Sequence, residues 1–406
     1  MEHSIKSQVF FVGNLPHKVE YENISNIFGS PIVEKAEQYD FLCSYFHKSH
    51  VDAMIEAEGQ KRPKFLSAVH HFYLNIDRSL PLSFYDSETG QLDVLEGYKM
   101  TLKGLHVYCF PLDITLFAIE IDDSGSSLDD LALAHSRIRE LPSKWEEFLV
   151  EFTDALKPIK DLVPNGNVKD LVTRGNKLKI FQIVLVESSD WTEEHLYEIA
   201  TCSPINIVGT SHIQAPSDEY FNSMIDNNTI APFKDWKSMS LRDSFTALFK
   251  EERSFDEIKW INSYYRLIYL RVLVQKTFLS SKNVQYRLNQ SSSHLMRDLT
   301  RMEQYYFYDS ISYNFLPDLL NSHMEKGLGI NNERAELSAQ IKESESKNNN
   351  TLTGIVSAFA VFSIAYDFYG ILKAITSSES PIMPFVIGLI ASLSILYIIF
   401  HLSRRR

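Results

Sequence analysis

Asp367 is the residue with the clearest potential for ion chemistry, because its carboxylate interrupts an apolar run from Leu352 to Ile375. A charge inside a membrane helix costs on the order of 3 kcal/mol on insertion scales, so it normally faces water or a partner. In a ring of several chains, these carboxylates would attract cations and repel one another. Alternatively, Asp367 lies near a helix end and pairs with Lys373.

Steps of three and four residues place small and polar side chains along one face of a helix over this run. Such a face suits either a pore around a symmetry axis or ordinary helix packing, and both interpretations stay open. Leu352 could form a hydrophobic gate that opens by wetting, or could simply pack against lipid or another helix. The predicted pore-lining residues are Asn349, Leu352, Val356, Ala360, Ser363, Asp367 and Gly370.

Histidine and aspartate pairs are weaker candidates for metal chemistry. His47 and His50 could place two imidazoles on one helix face, but no third ligand is near in sequence, which favours a solvated face. The acidic pairs at 122–123 and 129–130 could sense cations, although capping and solvation also explain them. The sequence contains neither a P-loop nor a dinucleotide fingerprint. We predict no enzymatic activity, and the sequence assigns no metal-ligating or ligand-binding residues.

The elements before residue 235 have the pattern of a mixed α/β domain. Ser127 is expected to cap a helix, and Pro142 to interrupt the helical stretch that follows. Strands that alternate with helices predict a sheet covered by helices. The strand-like runs are Val9–Val12, Leu105–Phe110, Ile114–Ile121, Lys179–Val186 and the shorter Ile205–Val208, and the second and third of them form an expected hairpin.

Residues 236–350 are predicted to form a helical stalk. Strand patterns stop near Phe233, and Ser240–Glu251 has apolar residues at helical spacing. A helix at Glu333–Glu345 is expected to continue into the apolar run, because the polar residues between them include neither Pro nor Gly. A short disordered linker is the alternative.

Residues 351–406 are predicted to form a transmembrane hairpin with helices at about 352–375 and 382–402. Each run has the roughly 20 residues that cross a bilayer core. The basic tail Arg404–Arg406 places both termini in the cytosol by the positive-inside rule. The expected fold class is thus an α/β cytosolic domain, a long helical stalk and a C-terminal two-helix transmembrane hairpin, assembled as an oligomeric funnel.

Composition narrows the partners. The formal net charge is −12, and no Lys/Arg block stands out, so we expect no direct binding to nucleic acid. The three cysteines are widely spaced and indicate neither a disulfide framework nor a zinc site. The first residues lack the pattern of a signal peptide.

The C-terminal pattern resembles the CorA family of divalent-cation channels. In that family the first membrane helix starts near a Leu-Thr pair and ends at Tyr-Gly-Met-Asn. Here Leu352-Thr353 leads to Tyr369-Gly370, but Ile371 and Leu372 replace the family's Met and Asn. The resemblance is close over residues 351–406, while the rest of the chain matches in the order of its elements.

The resemblance implies a homopentameric, multi-pass ion channel in the bacterial inner (cytoplasmic) membrane. In the family, the Asn ring holds a hydrated cation through amide oxygens, which suits Mg²⁺. Leucine cannot coordinate a cation, so the filter motif Tyr369, Gly370, Ile371 and Leu372 is degenerate.

Divergent CorA-like proteins also occur as membrane effectors of type III CRISPR antiviral defence that respond to nucleotide second messengers. We expect this role, with no required cofactor and with Mg²⁺ or a nucleotide as the possible ligand. One alternative is a divergent Mg/Co/Ni transporter. The other is a membrane-tethered interaction protein.

Overall fold

The computed structural model describes residues 5–15, 18–85, 92–95, 98–171, 177–186, 191–203, 216–234, 236–250, 255–287 and 292–376. The chain divides into two compact units. The first comprises Met1–Leu288 and Arg297–Ala335, and the second comprises Asn289–Met296 and Glu336–Arg406. The described strands all belong to the first unit.

Eight strands of the first unit form one mixed sheet in the order β2-β5-β6-β1-β7-β10-β9-β8, and β3 pairs with β4. Strands β7 and β10 run parallel, whereas the other described neighbours run antiparallel. The strands are β1 (Ile5–Leu15), β2 (His70–Leu80), β3 (Ser83–Tyr85), β4 (Leu92–Val94), β5 (Lys99–Phe110), β6 (Ile114–Gly125), β7 (Lys179–Val186), β8 (Thr229–Phe233), β9 (Trp236–Ser240) and β10 (Ser244–Lys250).

Strand β1 lies in the middle of the sheet because its sequence is apolar on both faces. Val9 and Phe11 join the hydrophobic core on one face. Phe10, between them, points to the other face, where its ring centroid lies 6.4 Å from that of Phe181. The predicted strands in β1, β5, β6 and β7 are confirmed, while Ile205–Val208 lies outside the described residues.

The predicted hairpin is the β5–β6 pair. Its turn places Leu112 and Asp113 at φ values of 62° and 59°. Two successive residues with positive φ are typical of the mirror-image turns that match the twist of the flanking strands. The turn sets the register in which Phe110 lies opposite Ile114.

The helix α4 begins with the predicted cap. The Ser127 hydroxyl accepts from the Asp130 backbone N–H at 3.1 Å, and the Asp130 carboxylate accepts from the Ser127 backbone N–H at 3.1 Å. This reciprocal pair is a capping box. The helix ends before Pro142, as predicted. The helices are α1 (Tyr21–Phe28), α2 (Ala36–Tyr45), α3 (Lys48–Met54), α4 (Leu128–Arg139), α5 (Val150–Ala155), α6 (Lys157–Lys160), α7 (Glu193–Thr201), α8 (Asp218–Asn228), α9 (Phe255–Arg287), α10 (Ser292–Tyr305), α11 (Phe315–Leu328) and α12 (Ile330–Thr376).

Helices cover both faces of the sheet. Helices α4 and α7 pack on the face that carries Val9 and Phe11, and their Leu131 and Leu196 belong to the same core. Helix α9 packs against β1, β6 and β7 on the other face. There the Tyr269 ring centroid lies 5.1 Å from that of Phe181.

The prediction that strands stop near Phe233 is wrong. The expected helix at Ser240–Glu251 is replaced by β10, which pairs with β7 on one side and β9 on the other. Burial on both faces favours the extended conformation over the helix that the spacing predicted. The predicted domain boundary at residue 235 falls between β8 and β9, and the sheet continues to Lys250.

The expected fold class, with its C-terminal transmembrane hairpin, is also wrong. The helix before the apolar run does continue into it, as predicted, because α12 is one helix of 47 residues from Ile330 to Thr376. Among the described residues, no helix combines the length and apolarity that crossing a membrane requires. The second expected helix, 382–402, and the arginine tail lie outside the described residues.

Candidate ligand-binding site

A cavity of about 500 Å³ opens where the parallel strands β7 and β10 end. Lys250, the last residue of β10, lies opposite Val186, the last residue of β7. In open α/β sheets, ligands bind in the crevice beyond the carboxyl ends of parallel strands. The volume lies within the range of small-molecule pockets. The lining residues are Trp191, Thr192, Glu193, Ala231, Pro232, Phe233, Lys234, Lys237 and Lys250.

The first turn of α7 forms one wall of the cavity. Thr192 caps this helix: its backbone N–H donates to His195 Nδ1 at 2.9 Å, and its hydroxyl accepts from the His195 backbone N–H at 3.5 Å. The start of a helix carries a partial positive charge and backbone N–H groups that favour anions. This wall therefore combines the partial positive charge of the helix start with the carboxylates of Glu193 and Glu194.

Sheet register places two of the lysines on one face. Lys237 on β9 lies opposite Leu248 on β10, and Lys250 follows Leu248 by two residues. Residues two apart on a strand point to the same side, so both ammonium groups project from the face that packs against α7. Such diagonal neighbours are about 7–8 Å apart. Lys234, in the connection after β8, supplies a third cation from the exposed rim.

Only one of these cations has an anionic partner within the part of the chain that the structure describes. Lys237 Nζ lies 2.8 Å from Glu193 Oε1, while neither Lys234 nor Lys250 forms an ion pair with a described residue. Three lysines against one carboxylate leave the described lining with an excess of positive charge.

Two aromatic side chains complete the lining. Lys237 Nζ lies 5.9 Å from the centre of the Trp191 ring, on its face. The Trp191 Nε1 atom is buried and has no hydrogen-bond partner among the described residues, so it remains a potential donor. Phe233 is 42% exposed. Flat rings of this kind bind nucleobases by stacking.

A buried polar chain crosses the sheet face that α9 covers. Gln8 Nε2 donates to Glu120 Oε1 at 2.9 Å, and the other oxygen of Glu120 lies 2.9 Å from His106 Nε2. His106 Nδ1 in turn lies 2.9 Å from His71 Nε2. Burial lowers the pKa of His106 well below its usual range, and Arg266 acts in the same direction. This chain joins four strands.

The sequence-predicted acidic and histidine pairs have structural roles. Asp123 is buried, and its Oδ2 atom lies 2.7 Å from both the Tyr98 hydroxyl and His135 Nε2. Asp130 belongs to the cap of α4. His50 is fully buried rather than solvated, and burial lowers its pKa well below the usual range. Among the described residues, no group of His, Cys, Asp and Glu is arranged to hold a metal ion.

The predicted pore-lining residues lie along α12. Val356, Ala360 and Gly370 are exposed, but so are Phe359 and Tyr366 on the opposite face. In the filter motif, Tyr369 is half-buried. The side chains of Asn349, Leu352, Ser363, Asp367, Ile371 and Leu372 lie outside those that the structure describes.

The sequence contains signals for one wall of the cavity. Lys179–Val186 has the pattern of a strand, and Thr192 followed by Glu193 and Glu194 is a helix start. A strand followed by a capped helix indicates a possible anion site. These local signals do not show that β10 is the parallel neighbour of β7.

Comparison with known proteins adds no family assignment. No protein-family model matches the chain, and the search of curated proteins gives no match.

Proposed function

We propose that the first unit is a receptor for a small molecule that carries several negative charges and a flat ring, with a nucleotide as the best fit. One observation carries the proposal: three lysines, an exposed aromatic ring and a helix start meet in a cavity at the ends of β7 and β10. Lysine ammonium groups act as point charges for phosphate. Trp191 and Phe233 provide surfaces for a base.

The lining offers binding chemistry. Its described polar groups are ammonium groups, the Thr192 hydroxyl that caps α7, and a Glu193 carboxylate held by Lys237. These groups can hold and orient an anion. The proposed function is therefore that of a sensor, which responds to the presence of its ligand.

A nucleotide messenger is the ligand that the resemblance to CorA-like defence effectors implies, and the cavity supports the same ligand class on independent grounds. Ion conduction and location in the bacterial inner membrane stay predictions that rest on that resemblance.

Calorimetric titration of the full chain with ADP, ATP, pyrophosphate and adenosine tests the proposal. We expect ADP and ATP to bind, pyrophosphate to bind more weakly, and adenosine to bind least. Affinity should fall as salt rises, because ammonium–phosphate attraction is screened.

Lysine variants locate the site. Lys250→Ala should weaken ADP binding about 10-fold, since a hydrogen bond to a charged group contributes about 1.5–3 kcal/mol. Lys234→Ala, at the exposed rim, should weaken it about threefold to fivefold, because exposed ion pairs contribute less. Lys64→Ala, at an exposed lysine remote in sequence from the lining, should leave binding unchanged. The proposal fails if none of the anions binds at millimolar concentration, or if the cavity variants bind as tightly as the Lys64 control.

A further inference from the structure

The Glu193–Lys237 ion pair lies inside the proposed site, and it occupies the cation that lies over the Trp191 ring. A ligand with a ring on Trp191 and phosphates on the lysines must place negative charge beside Lys237. Glu193 Oε1 already lies 2.8 Å from that ammonium group. The protein's own carboxylate therefore stands where a ligand anion is needed.

We propose that Glu193 is an internal competitor, whose carboxylate leaves Lys237 when an anionic group of the ligand binds there. This inference rests on the proposed function and adds its regulation. We call this ion pair the latch: a ligand with a single weak anionic group does not displace Glu193 from Lys237.

The exposure of the pair makes the exchange inexpensive. The Glu193 and Lys237 side chains are 48% and 34% exposed, so neither is locked by packing. Exposed ion pairs contribute little to stability. Glu193 is the first residue of α7, so the displaced carboxylate can rotate towards water and still interact favourably with the helix start.

Competition with Glu193 for Lys237 favours ligands that carry more than one negative charge. An anionic group that replaces the Glu193 carboxylate at Lys237 gains only the difference between its own attraction to Lys237 and that of Glu193. A ligand gains more when a second anionic group reaches Lys250, about 7–8 Å away at the level of the backbone. Adjacent phosphates span such a separation better than one phosphate does. The site should therefore rank nucleoside triphosphates and diphosphates above monophosphates.

Neighbouring glutamates provide a matched test. Glu193→Gln removes the competing charge, and Glu194→Gln removes the same charge from the same turn of α7 at an exposed position. Titration with ADP and AMP should show Glu193→Gln binding ADP about threefold to fivefold more tightly than the unmodified chain, the size of one exposed ion pair. AMP should gain at least as much, and Glu194→Gln should change either affinity less than twofold.

A double substitution separates the latch from general charge. In a Lys237→Gln background, Glu193→Gln should no longer improve ADP binding, because no ion pair remains to be broken. If the unmodified chain binds ADP and Glu193→Gln binds it equally or more weakly, the latch is refuted while the receptor function stands. A gain that persists without Lys237 refutes it as well. If neither the chain nor the variants bind, both proposals fall.

Discussion

Acid should destabilise the first unit through His323, by an amount that follows from the surroundings of this side chain. The side chain lies on α11, is 7% exposed and belongs to a helix that packs against β9. Burial, and to a smaller extent the nearby Lys326, lower the pKa of His323 to about 4, although a backbone hydrogen bond with Ser238 acts in the opposite direction. The unfolded chain has the ordinary histidine pKa of about 6.5.

The sign follows from which state binds the proton. Between pH 6.5 and 4 the unfolded chain takes up a proton at this position and the folded chain does not, so the free energy of unfolding falls as the pH falls. The stability is fully present above pH 6.5. At pH 5 the loss from His323 is about 2 kcal/mol, since the slope approaches 1.4 kcal/mol per pH unit over this window.

Urea unfolding of the full chain at pH 7 and pH 5, followed by circular dichroism, measures this loss. His323→Gln removes the titrating group and keeps a polar side chain, so the difference between the two pH values should shrink by about 2 kcal/mol. Its absolute stability at pH 7 serves as the internal reference for any loss of packing. An unchanged pH difference in the variant would show that His323 is protonated in the folded state too, and the reasoning from burial would be refuted.

Two further predictions concern other parts of the chain. Gly327 on α11 approaches β9 so closely that an added Cβ would lie 2.6 Å from the Ser240 carbonyl oxygen. Gly327→Ala should therefore lower the free energy of unfolding by about 1–3 kcal/mol. Gly354→Ala, where a Cβ meets nothing within 4 Å, should not destabilise, and equal melting temperatures for the two variants would contradict the packing argument. Ion flux in proteoliposomes checks the conduction that the resemblance implies. Flux through the unmodified chain that falls strongly in Asp367→Asn would support a pore role for this carboxylate, and no flux would agree with the lack of a membrane-spanning helix among the described residues.

Sequence pattern predicted the strands that have one unambiguous signal. Strand β1 contains the short apolar run Val9–Val12, β7 is mostly apolar, and the β5–β6 hairpin has a turn flanked by β-branched and aromatic residues. The cap at Ser127 was predictable because a hydroxyl residue precedes acidic residues at the start of a helical pattern. These features depend on neighbours in sequence, so local rules suffice.

Strand β10 was missed because its apolar residues have an ambiguous spacing. Leu241, Phe245, Leu248 and Phe249 recur at intervals of four, three and one, as they would on a helix. In the structure this segment is held between β7 and β9, and both of its faces are buried. Pairing with strands distant in sequence decided the conformation, and a window of local residues contains no information about that pairing.

The missed strand also explains why the cavity could not be predicted. Lys250 joins the lining only because β10 runs parallel to β7 and ends beside it, and Lys237 joins it through the β9 register. Viewed as helical residues, these lysines would belong to a solvated surface. The anion site thus depends on the order and direction of the strands, which bring lysines that are distant in sequence into one positively charged site.

The same sheet order divides the site into a fixed part and an adjustable part. Lys237 and Lys250 lie on hydrogen-bonded strands whose register fixes their separation, and β9 is anchored by Trp236, which is 1% exposed. Glu193 instead belongs to the first turn of α7, and its side chain is half exposed. The strands therefore fix where the two lysine side chains begin, while the ligand must still order their flexible stems. The carboxylate is the group that must leave Lys237, so its removal should raise affinity by the modest factor of one exposed ion pair.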